Sequence, residues 1–330
     1  MKLIDLFSGI GGFAKGFQRA GYQFTEHYFS EIDKHAIANY KHNFPNANYI
    51  GDITTIQPSN LAGADIITFG SPCQDFSMAG RRAGLAGAKS SLIEYAIALI
   101  TCVRPSVFIW ENVKGAFSSN AGADFWAILQ AFTHIGGYRL EWQLLNTKWV
   151  LPQNRERIYL IGHLAGRSQP GVFPITEDDC APRKEKTYQF QAKLSGTLKA
   201  NGNMNADDTY IIPKTASTLT GGGHSGGLHS DMTIVRQLPR GKNKGAELTI
   251  CPTISSNAFQ ENNLLGGIRR LTEIECERLQ GFPDNWTQYG NYNGRKRRIS
   301  KTQRYKLIGN AVTVDIVELI AKRLKLKNNE

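Results

Sequence analysis

The sequence predicts an α/β fold in which a mostly parallel sheet with an antiparallel edge strand carries helices on both faces, next to a second, smaller domain rich in loops and strands. Three observations predict it. Short apolar runs alternate with amphipathic stretches up to about residue 135, an order typical of βαβ units. Two strand-like segments then follow each other without a full helix between them. After about Leu164 the chain is rich in Gly, Asn, Ser, Thr and Pro, and helical periodicity weakens.

The predicted elements alternate strand and helix from the N-terminus and end in the two consecutive strands. Their bounds are Lys2–Phe7, Gly12–Ala20, Gln23–Phe29, Lys34–Asn43, Ile66–Phe69, Leu92–Cys102, Val107–Trp110, Phe125–Ile135, Tyr138–Leu145 and Arg157–Gly162. Helical periodicity returns at Thr272–Gln280 and Val314–Leu326. We expect the last helix to pack back on the first domain. That domain would then comprise residues 1–164 and 287–330, with residues 165–286 forming the second domain.

Charge and cysteine usage limit the possible functions. The net charge is +11 and the sequence pI is about 9.4, which favours an anionic partner such as nucleic acid, although a generally basic protein without such a partner has the same balance. The five cysteines form no C-x-x-C pair, so we expect free thiols and no metal site. The sequence has no run of about 18 apolar residues and no signal-peptide pattern at its start, so we expect a cytoplasmic protein.

A glycine-rich turn follows the first predicted strand, in the segment Asp5–Phe13. Such a turn lets a ligand approach the backbone closely at a helix N-terminus. Glu31 ends the second predicted strand, where an acid accepts hydrogen bonds from ribose hydroxyls, and Asp52 lies further along, in the segment Gly51–Thr54. This spacing suits an adenosine-bearing cofactor. The turn lacks the G-x-G-x-x-G fingerprint, which argues against NAD, and a glycine turn without a ligand remains an alternative.

Two further candidate residues stand at predicted strand ends, where open α/β sheets bind their ligands. Cys73 lies in the run Gly70–Gln74 directly after an apolar strand, and Pro72 stiffens its loop. We expect a nucleophile there rather than a buried structural cysteine. Glu111 follows the strand Val107–Trp110. It could hold or donate a proton, whereas a solvated glutamate is the simpler reading.

Two arginines, Arg155 and Arg157, lead into the last predicted strand of the first domain, in the segment Pro152–Arg157. Their i, i+2 spacing points both side chains to one face, where they could bind a phosphate or a base carbonyl. A solvated charged loop is the competing interpretation.

Together, these clusters closely resemble the DNA (cytosine-5)-methyltransferases of the bacterial and phage restriction–modification type. The segments Arg270–Pro283 and Gly309–Val312 resemble that family's later blocks. The resemblance spans Leu3–Gly162 and Ile268–Lys325 and omits only the middle. It implies a Rossmann-like S-adenosylmethionine-dependent methyltransferase sheet, double-stranded DNA as substrate, S-adenosyl-L-methionine as cofactor with S-adenosyl-L-homocysteine as product, and no metal. It leaves open whether a separate cognate restriction endonuclease exists, and a monomer suffices for the chemistry.

The resemblance also implies roles for individual residues. Cys73 attacks C6 of a flipped-out cytosine, Glu111 supports protonation at N3, and Arg157 binds the base carbonyl with Arg155 beside it. The implied cofactor residues are Phe7, Ser8, Gly9, Gly11, Gly12, Glu31, Ile32, Asp52, Ile53, Pro72, Leu92, Asn310 and Val312. Phe7 would stack on the adenine. Ile32 departs from the family, since many relatives carry an aromatic residue there, and Lys89 stands where relatives carry Arg-Gly.

DNA recognition is expected from the variable segment of about 165–267 and from a basic run. Gly294–Lys306 contains seven Lys or Arg residues and no acid, which favours phosphate contact over a merely solvated face. The loops after Thr197, Thr218 and Thr253 are expected to face the DNA major groove. The expected DNA contacts are Gln74, Ser77, Lys89, Thr253, Arg295, Arg297 and Arg298. A tRNA cytosine methyltransferase, a catalytically silent DNA-binding relative and, more distantly, an NAD or redox enzyme are the alternatives.

Overall fold

The computed structural model describes residues 1–71, 92–180 and 271–327, and the backbone of four short strands between residues 235 and 270. The helices of this part of the chain are α1 Gly12–Arg19, α2 Lys34–Asn43, α3 Leu92–Val103, α4 Lys114–Ser118, α5 Ala123–His134, α6 Glu273–Leu279, α7 Lys301–Asn310 and α8 Val314–Arg323. Its strands are β1 Lys2–Leu6, β2 Glu26–Ser30, β3 Asn48–Tyr49, β4 Ile66–Gly70, β5 Val107–Val113, β6 Tyr138–Asn146, β7 Glu156–Leu164, β8 Ser168–Gln169, β9 Val235–Gln237, β10 Ala246–Leu248, β11 Asn263–Leu265, β12 Arg269–Arg270, β13 Tyr289–Tyr292, β14 Arg295–Arg298 and β15 Lys325–Leu326.

Seven strands form the central sheet, in the order β3-β2-β1-β4-β5-β7-β6. Strands β1 to β5 pair in parallel, and β7 pairs antiparallel with both β5 and β6. The predicted α/β class and the antiparallel pair are therefore confirmed. The strand that opposes its neighbours is β7, which lies one position inside the edge strand β6.

Alternate residues of the sheet strands supply two separate cores, as the period of two in a strand requires. Leu3, Ile66 and Ile109 belong to the core that α1 and α8 cover. Their immediate neighbours in sequence on β1 and β4, Ile4 and Ile67, face the opposite core beneath α3 and α5. Because both faces of the sheet are covered, its strands read as continuous apolar runs.

The C-terminal helix returns to the first part of the chain, as predicted. Val317 of α8 packs so closely on α1 that a Cβ at Gly16 would lie 2.5 Å from Val317 Cβ. The helix ends at Arg323 rather than near Leu326, because the chain there pairs with β8 as the strand β15.

Residues on both sides of the predicted domain boundaries pack against the central sheet and its helices. Val172 and Ile175 belong to the core that α1 and α8 cover, and α6 contributes Cys276 and Leu279 to a third cluster that includes Ile10 of the glycine turn. Strands β9 to β12 form a small antiparallel sheet of their own. The division at 164/165 and 286/287 stays a prediction.

A hairpin of β13 and β14 lies on α2. The buried Asn39 side chain donates to the carbonyls of Trp286 and Tyr289, at 2.8 and 2.9 Å. A Cβ at Gly290 would lie 2.9 Å from Ala38 Cβ. The basic run Gly294–Lys306 thus divides into a strand of this hairpin and the start of α7.

In the described parts of the chain, none of the helices combines the length and apolar character that a membrane crossing needs.

Candidate functional site

Two of the predicted catalytic side chains, Glu111 and Arg157, meet at the carboxyl end of β5. Glu111 lies within β5 rather than after it, because β7 pairs with β5 as far as Val113 and extends the strand beyond the predicted end at Trp110. Arg157, which pairs with Val113, places its Nε 3.1 Å from Glu111 Oε1. Glu111 is 8% exposed. The carboxylate of Glu111 and the guanidinium of Arg157 thus form a largely buried ion pair.

Gly70 joins this pair to the predicted cofactor residues. A Cβ at Gly70 would lie 3.1 Å from Glu111 Oε2 and 4.0 Å from Val312 Cγ1. Val312, in turn, lies so close to Gly12 that a Cβ at Gly12 would be 2.6 Å from Val312 Cγ2. The structure therefore brings together the glycine turn, the end of β4, the carboxylate on β5 and the connection between α7 and α8.

The residue that leads into the predicted nucleophile loop is firmly held. Ser71 Oγ accepts hydrogen bonds from Trp110 Nε1, at 2.9 Å, and from Asn112 Nδ2, at 3.0 Å. All three side chains are buried. The loop thus leaves β4 from a fixed point beside Glu111. The predicted site residues that lie outside the described residues are Pro72, Cys73, Gln74, Ser77, Lys89 and Thr253, and with them the loops after Thr197 and Thr218.

The glycines of the predicted cofactor turn differ in what surrounds them. Gly11 has φ +82°, and a Cβ there would lie 2.3 Å from the Phe44 ring; Gly12 is closed by Val312 in the same way. Gly9 also has a positive φ, +54°, but a Cβ there would meet nothing within 4 Å. Gly11 and Gly12 are therefore packing glycines, and of the three only Gly9 faces open space.

The residues on either side of Gly9 complete this turn. Phe7, also at positive φ, is half-buried, and its ring packs against the core beneath α3 and α5. Ser8 Oγ is buried and has no hydrogen-bond partner among the described residues. A buried hydroxyl without a partner is costly, which is consistent with a polar ligand here.

Glu31 fixes the turn from the neighbouring strand. Its Oε2 accepts the N–H of Gly9 at 2.8 Å, and its Oε1 accepts the N–H groups of Ile32 and Asp33 at 2.8 and 2.9 Å. A carboxylate has about four lone-pair sites. One site therefore remains that could accept a ligand hydroxyl, and the role of Glu31 in cofactor binding stays a prediction.

The other predicted cofactor residues differ in exposure and in local role. Ile32 is 73% exposed, an unusual position for a large apolar side chain beside a polar turn. Asp52 caps the following 3-10 turn through Thr54 N, at 3.0 Å, and Ile53 is buried. Leu92 begins α3 and is half-buried.

Arg155 and Arg157 do not face the same groups. The Arg155 guanidinium is buried and donates to two backbone carbonyls, Ala311 O at 2.8 Å and Gly309 O at 3.4 Å. Arg155 precedes β7, so the alternation that placed both arginines on one face does not extend to it. Asn310, between the two carbonyls, is exposed, and Val312 is buried.

The basic residues of the predicted DNA surface also divide into two groups. All four residues of β14, including Arg295, Arg297 and Arg298, are exposed. Arg304 of α7 is instead buried and donates to Glu277 Oε1 at 2.9 Å, and Lys306 pairs with Asp33 at 2.6 Å. The expectation of phosphate contact along the whole basic run is therefore wrong for Arg304, because its charge is neutralised inside the fold.

Sequence reasoning missed a buried polar chain beneath the cofactor turn. Asp5 Oδ1 accepts from Thr68 Oγ1 and Oδ2 from Tyr40 OH, each at 2.9 Å, and Tyr40 OH lies 2.7 Å from His27 Nε2. Burial raises the pKa of Asp5 to about 7, with a smaller rise from the charge of Glu31, against hydrogen bonds that lower it. Burial lowers the pKa of His27 to about 4. An acid inside an otherwise apolar strand was the available signal.

Comparisons with known proteins agree on one family. Residues 1–326 match the model of the C-5 cytosine-specific DNA methylases. The Type II methyltransferase M.Bsp6I of Bacillus sp. (strain RFL6) is 30% identical over 338 residues, 98% of each chain. The orphan methyltransferase M.SPRI of Bacillus phage SPR is 27% identical, over 98% of this chain and 97% of its own.

Solved structures give the same fold. A DNA modification methyltransferase encoded within an E. coli prophage has a TM-score of 0.60 at 21% identity, over 98% of this chain and 97% of its own. The S. pombe Dnmt2 methyltransferase has a TM-score of 0.58 at 19% identity, over 97% and 96%.

Proposed function

Because the chain belongs to the family of C-5 cytosine-specific DNA methylases and is a DNA (cytosine-5)-methyltransferase, we propose how it acts. It methylates C5 of a flipped-out cytosine in double-stranded DNA through a covalent bond between Cys73 Sγ and C6 of the base. The observation that carries this proposal is the Glu111–Arg157 pair at the sheet edge, beside the anchored Ser71 from which the Cys73 loop departs.

The chemistry explains why a cysteine and a carboxylate are needed together. C5 of cytosine is a poor nucleophile, so the Cys73 thiolate adds to C6 and turns the ring into an enamine. Negative charge that develops on the ring is neutralised by a proton delivered to N3, with Glu111 as the group that holds it. After C5 has taken the methyl group, loss of the C5 proton and β-elimination of the Cys73 sulfur restore the aromatic ring and the free enzyme.

Arg157 has two functions in this proposal. Its Nε, 3.1 Å from Glu111 Oε1, orients the carboxylate, and Nη1 donates to the carbonyl of Glu156 at 2.8 Å. The guanidinium has five N–H donors, and one of those not used in these contacts binds the base carbonyl. The target atom is inaccessible within a duplex, so the base must leave the stack before these groups can reach it.

The residues of the turn fit S-adenosyl-L-methionine, which supplies the methyl group and leaves as S-adenosyl-L-homocysteine. The open face of Gly9, the Ser8 hydroxyl without a partner among the described residues, and the remaining lone-pair site of Glu31 support a bound adenosine. Phe7 and the exposed Ile32 would cover its base. Asp52, Ile53, Pro72, Leu92, Asn310 and Val312 complete the proposed set, while Gly11 and Gly12 act by packing.

Recognition of DNA is proposed for the segment 165–267 and for the exposed arginines of β14. The DNA contacts proposed from the sequence, Gln74, Ser77, Lys89 and Thr253 among them, belong to the same proposal. We place the protein in the cytoplasm of a bacterium, or of the host of a phage that encodes it. It acts as a monomer, with any cognate endonuclease acting separately.

A covalent trap tests the proposal. We expect purified protein, S-adenosyl-L-methionine and DNA containing 5-fluorocytosine to give an adduct that survives denaturation, since fluorine at C5 cannot leave as a proton. The same protein should methylate ordinary DNA, and bisulfite sequencing would show which cytosines are modified. Cys73→Ser should abolish both signals.

Cys102→Ser is the matched control, because Cys102 is a free thiol exposed on α3. It should trap and methylate like the parent protein. A Cys73→Ser protein with full activity would contradict the covalent mechanism, and methylation of tRNA but not of DNA would contradict the substrate.

A further inference from the structure

Four buried side chains hold the connection between α7 and α8, and we call Thr147, Arg155, Gln280 and Thr313 the turn lock. They come from three separate segments: Thr147 and Arg155 lie on either side of the turn between β6 and β7, Gln280 follows α6, and Thr313 is in the connection itself. Each is at most 3% exposed.

Arg155 and Gln280 act on the end of α7. The last carbonyls of a helix have no partner within it and carry partial negative charge. Arg155 donates to Gly309 O and Ala311 O, and Gln280 Nε2 donates to Ile308 O at 3.3 Å. A guanidinium at a helix C-terminus, within a dry interior, makes stronger hydrogen bonds than a neutral donor would.

The remaining contacts fix the start of α8. Thr313 Oγ1 donates to Gln280 Oε1 at 3.0 Å, and Val314 N donates to Gln280 O at 3.0 Å. Thr147 Oγ1 lies 2.9 Å from Thr313 Oγ1. A hydroxyl has one proton, so Thr147 donates to Thr313 while Thr313 donates to Gln280. The direction of the chain of hydrogen bonds is thus set.

The turn lock holds the backbone on both sides of the two cofactor residues proposed on this connection. Asn310 and Val312 lie between Ile308 and Thr313, and Val312 touches both Gly12 and the space beside Gly70. We propose that Arg155 and Gln280 are positioning residues for the cofactor side of the site, and that Arg155 does not contact the flipped base. This inference rests on the proposed function, because it assigns a role toward S-adenosyl-L-methionine.

The test measures binding of S-adenosyl-L-homocysteine by calorimetry and, separately, the kinetic constants for cofactor and DNA. Arg155→Met keeps most of the side-chain volume and removes every donor. We expect the dissociation constant for S-adenosyl-L-homocysteine to rise about tenfold or more, because the connection that carries Asn310 and Val312 is no longer held in its ligand-binding conformation. KM for the cofactor should rise in parallel, with kcat at saturating cofactor and KM for DNA changing by less than about threefold.

Arg104→Met is the matched control. Arg104 also donates to two carbonyls at a helix end, Ile135 O at 3.0 Å and Gly136 O at 2.8 Å after α5. The Arg104→Met protein should bind S-adenosyl-L-homocysteine with the affinity of the parent protein. Arg155→Lys keeps the charge but carries its N–H donors on a single nitrogen, so it should restore part of the affinity.

Three results would overturn the inference. One is an Arg155→Met protein that binds S-adenosyl-L-homocysteine normally but loses kcat or DNA affinity; another is equal loss of binding in the Arg104 control. If Arg155→Met does not fold, Thr313→Val replaces it in the test, since this substitution removes one hydroxyl at nearly constant shape. An unchanged dissociation constant for S-adenosyl-L-homocysteine in Thr313→Val is the third result that would overturn the inference. A parent protein that fails to bind S-adenosyl-L-homocysteine would instead refute the proposed function.

Discussion

Alanine substitutions can distinguish the glycine of the cofactor turn that faces a ligand from the one that only packs against the fold. Gly9 and Gly12 both precede or begin α1, and both are expected to bind cofactor from sequence alone. In the structure, a Cβ at Gly12 would lie 2.6 Å from Val312 Cγ2 and 2.7 Å from Val312 O, whereas a Cβ at Gly9 would meet nothing within 4 Å. The two substitutions should therefore fail for different reasons.

For Gly12→Ala the cost is steric. Ordinary contact begins near 3.4 Å, so either α1 or the Val312 backbone must move by most of an ångström. Overpacking of this kind costs about 1–3 kcal/mol. The better helix propensity of alanine offsets at most about 1 kcal/mol of it. We expect a net loss of about 1–2 kcal/mol, which lowers the melting temperature by roughly 2–5 °C.

For Gly9→Ala the loss of stability comes from backbone strain. A side chain at φ +54° loses about 1–2 kcal/mol to left-handed strain, so the fall in melting temperature should be similar to that of Gly12→Ala. The added methyl group also enters the space proposed for the adenosine. Affinity for S-adenosyl-L-homocysteine should fall at least about tenfold, beyond what the loss of stability explains.

Gly63→Ala controls for the strain. Gly63 has φ +74°, a Cβ there would also meet nothing within 4 Å, and the residue lies before β4, away from the turn. The Gly63→Ala protein should melt lower without losing affinity. Scanning calorimetry with and without S-adenosyl-L-homocysteine separates the cases. Normal ligand affinity in Gly9→Ala, or an equal loss in Gly63→Ala, would refute the assignment of Gly9 to the ligand.

Three further results are expected. Asp5 has a pKa of about 7 in the fold against 3.8 in a free chain, so its ionisation lowers the free energy of unfolding as the pH rises from about 4 to about 7. His27 has a pKa of about 4 in the fold against 6.5 in a free chain, so its titration raises the free energy of unfolding over nearly the same pH range. Urea unfolding between pH 4.5 and 7 should therefore show a more positive slope with pH for Asp5→Asn and a more negative one for His27→Gln, and slopes that change in the same direction would contradict this. Replacing Arg295, Arg297 and Arg298 by alanine should weaken DNA binding for all sequences. In salt titrations, the slope of log K against log salt concentration should become shallower by about 0.9 per lost phosphate contact. An unchanged slope would contradict a role of β14 in phosphate binding. Asn39→Ala should cost about 1–3 kcal/mol of stability, because Tyr289 O loses the Asn39 donor and Trp286 O keeps only that of Asn43, and a melting temperature equal to that of the parent would show that the hairpin does not depend on Asn39.

Local signals in the sequence were sufficient for elements that depend on local chemistry. Helix α2 has the predicted bounds, Lys34–Asn43, because Asp33 accepts from the N–H groups of His35 and Ala36 and fixes its start. Strand β5 runs three residues beyond its predicted end because β7, more than forty residues further along the chain, pairs with it. A separation of 27 residues likewise hides the burial of Arg304, whose partner Glu277 lies on another helix.

The residues of a sequence motif thus fall into two groups that spacing does not distinguish. Glu111 and Arg157 pair with each other at the end of β5 where chemistry is proposed, while Arg155 and Gln280 join one motif to another through buried hydrogen bonds. Both kinds are constrained in identity, the first by the reaction and the second by the cost of an unsatisfied buried carbonyl. Loss of activity on replacing a motif residue therefore does not show that the residue touches the base. Only a measurement that separates cofactor binding from the covalent step assigns it to one group or the other.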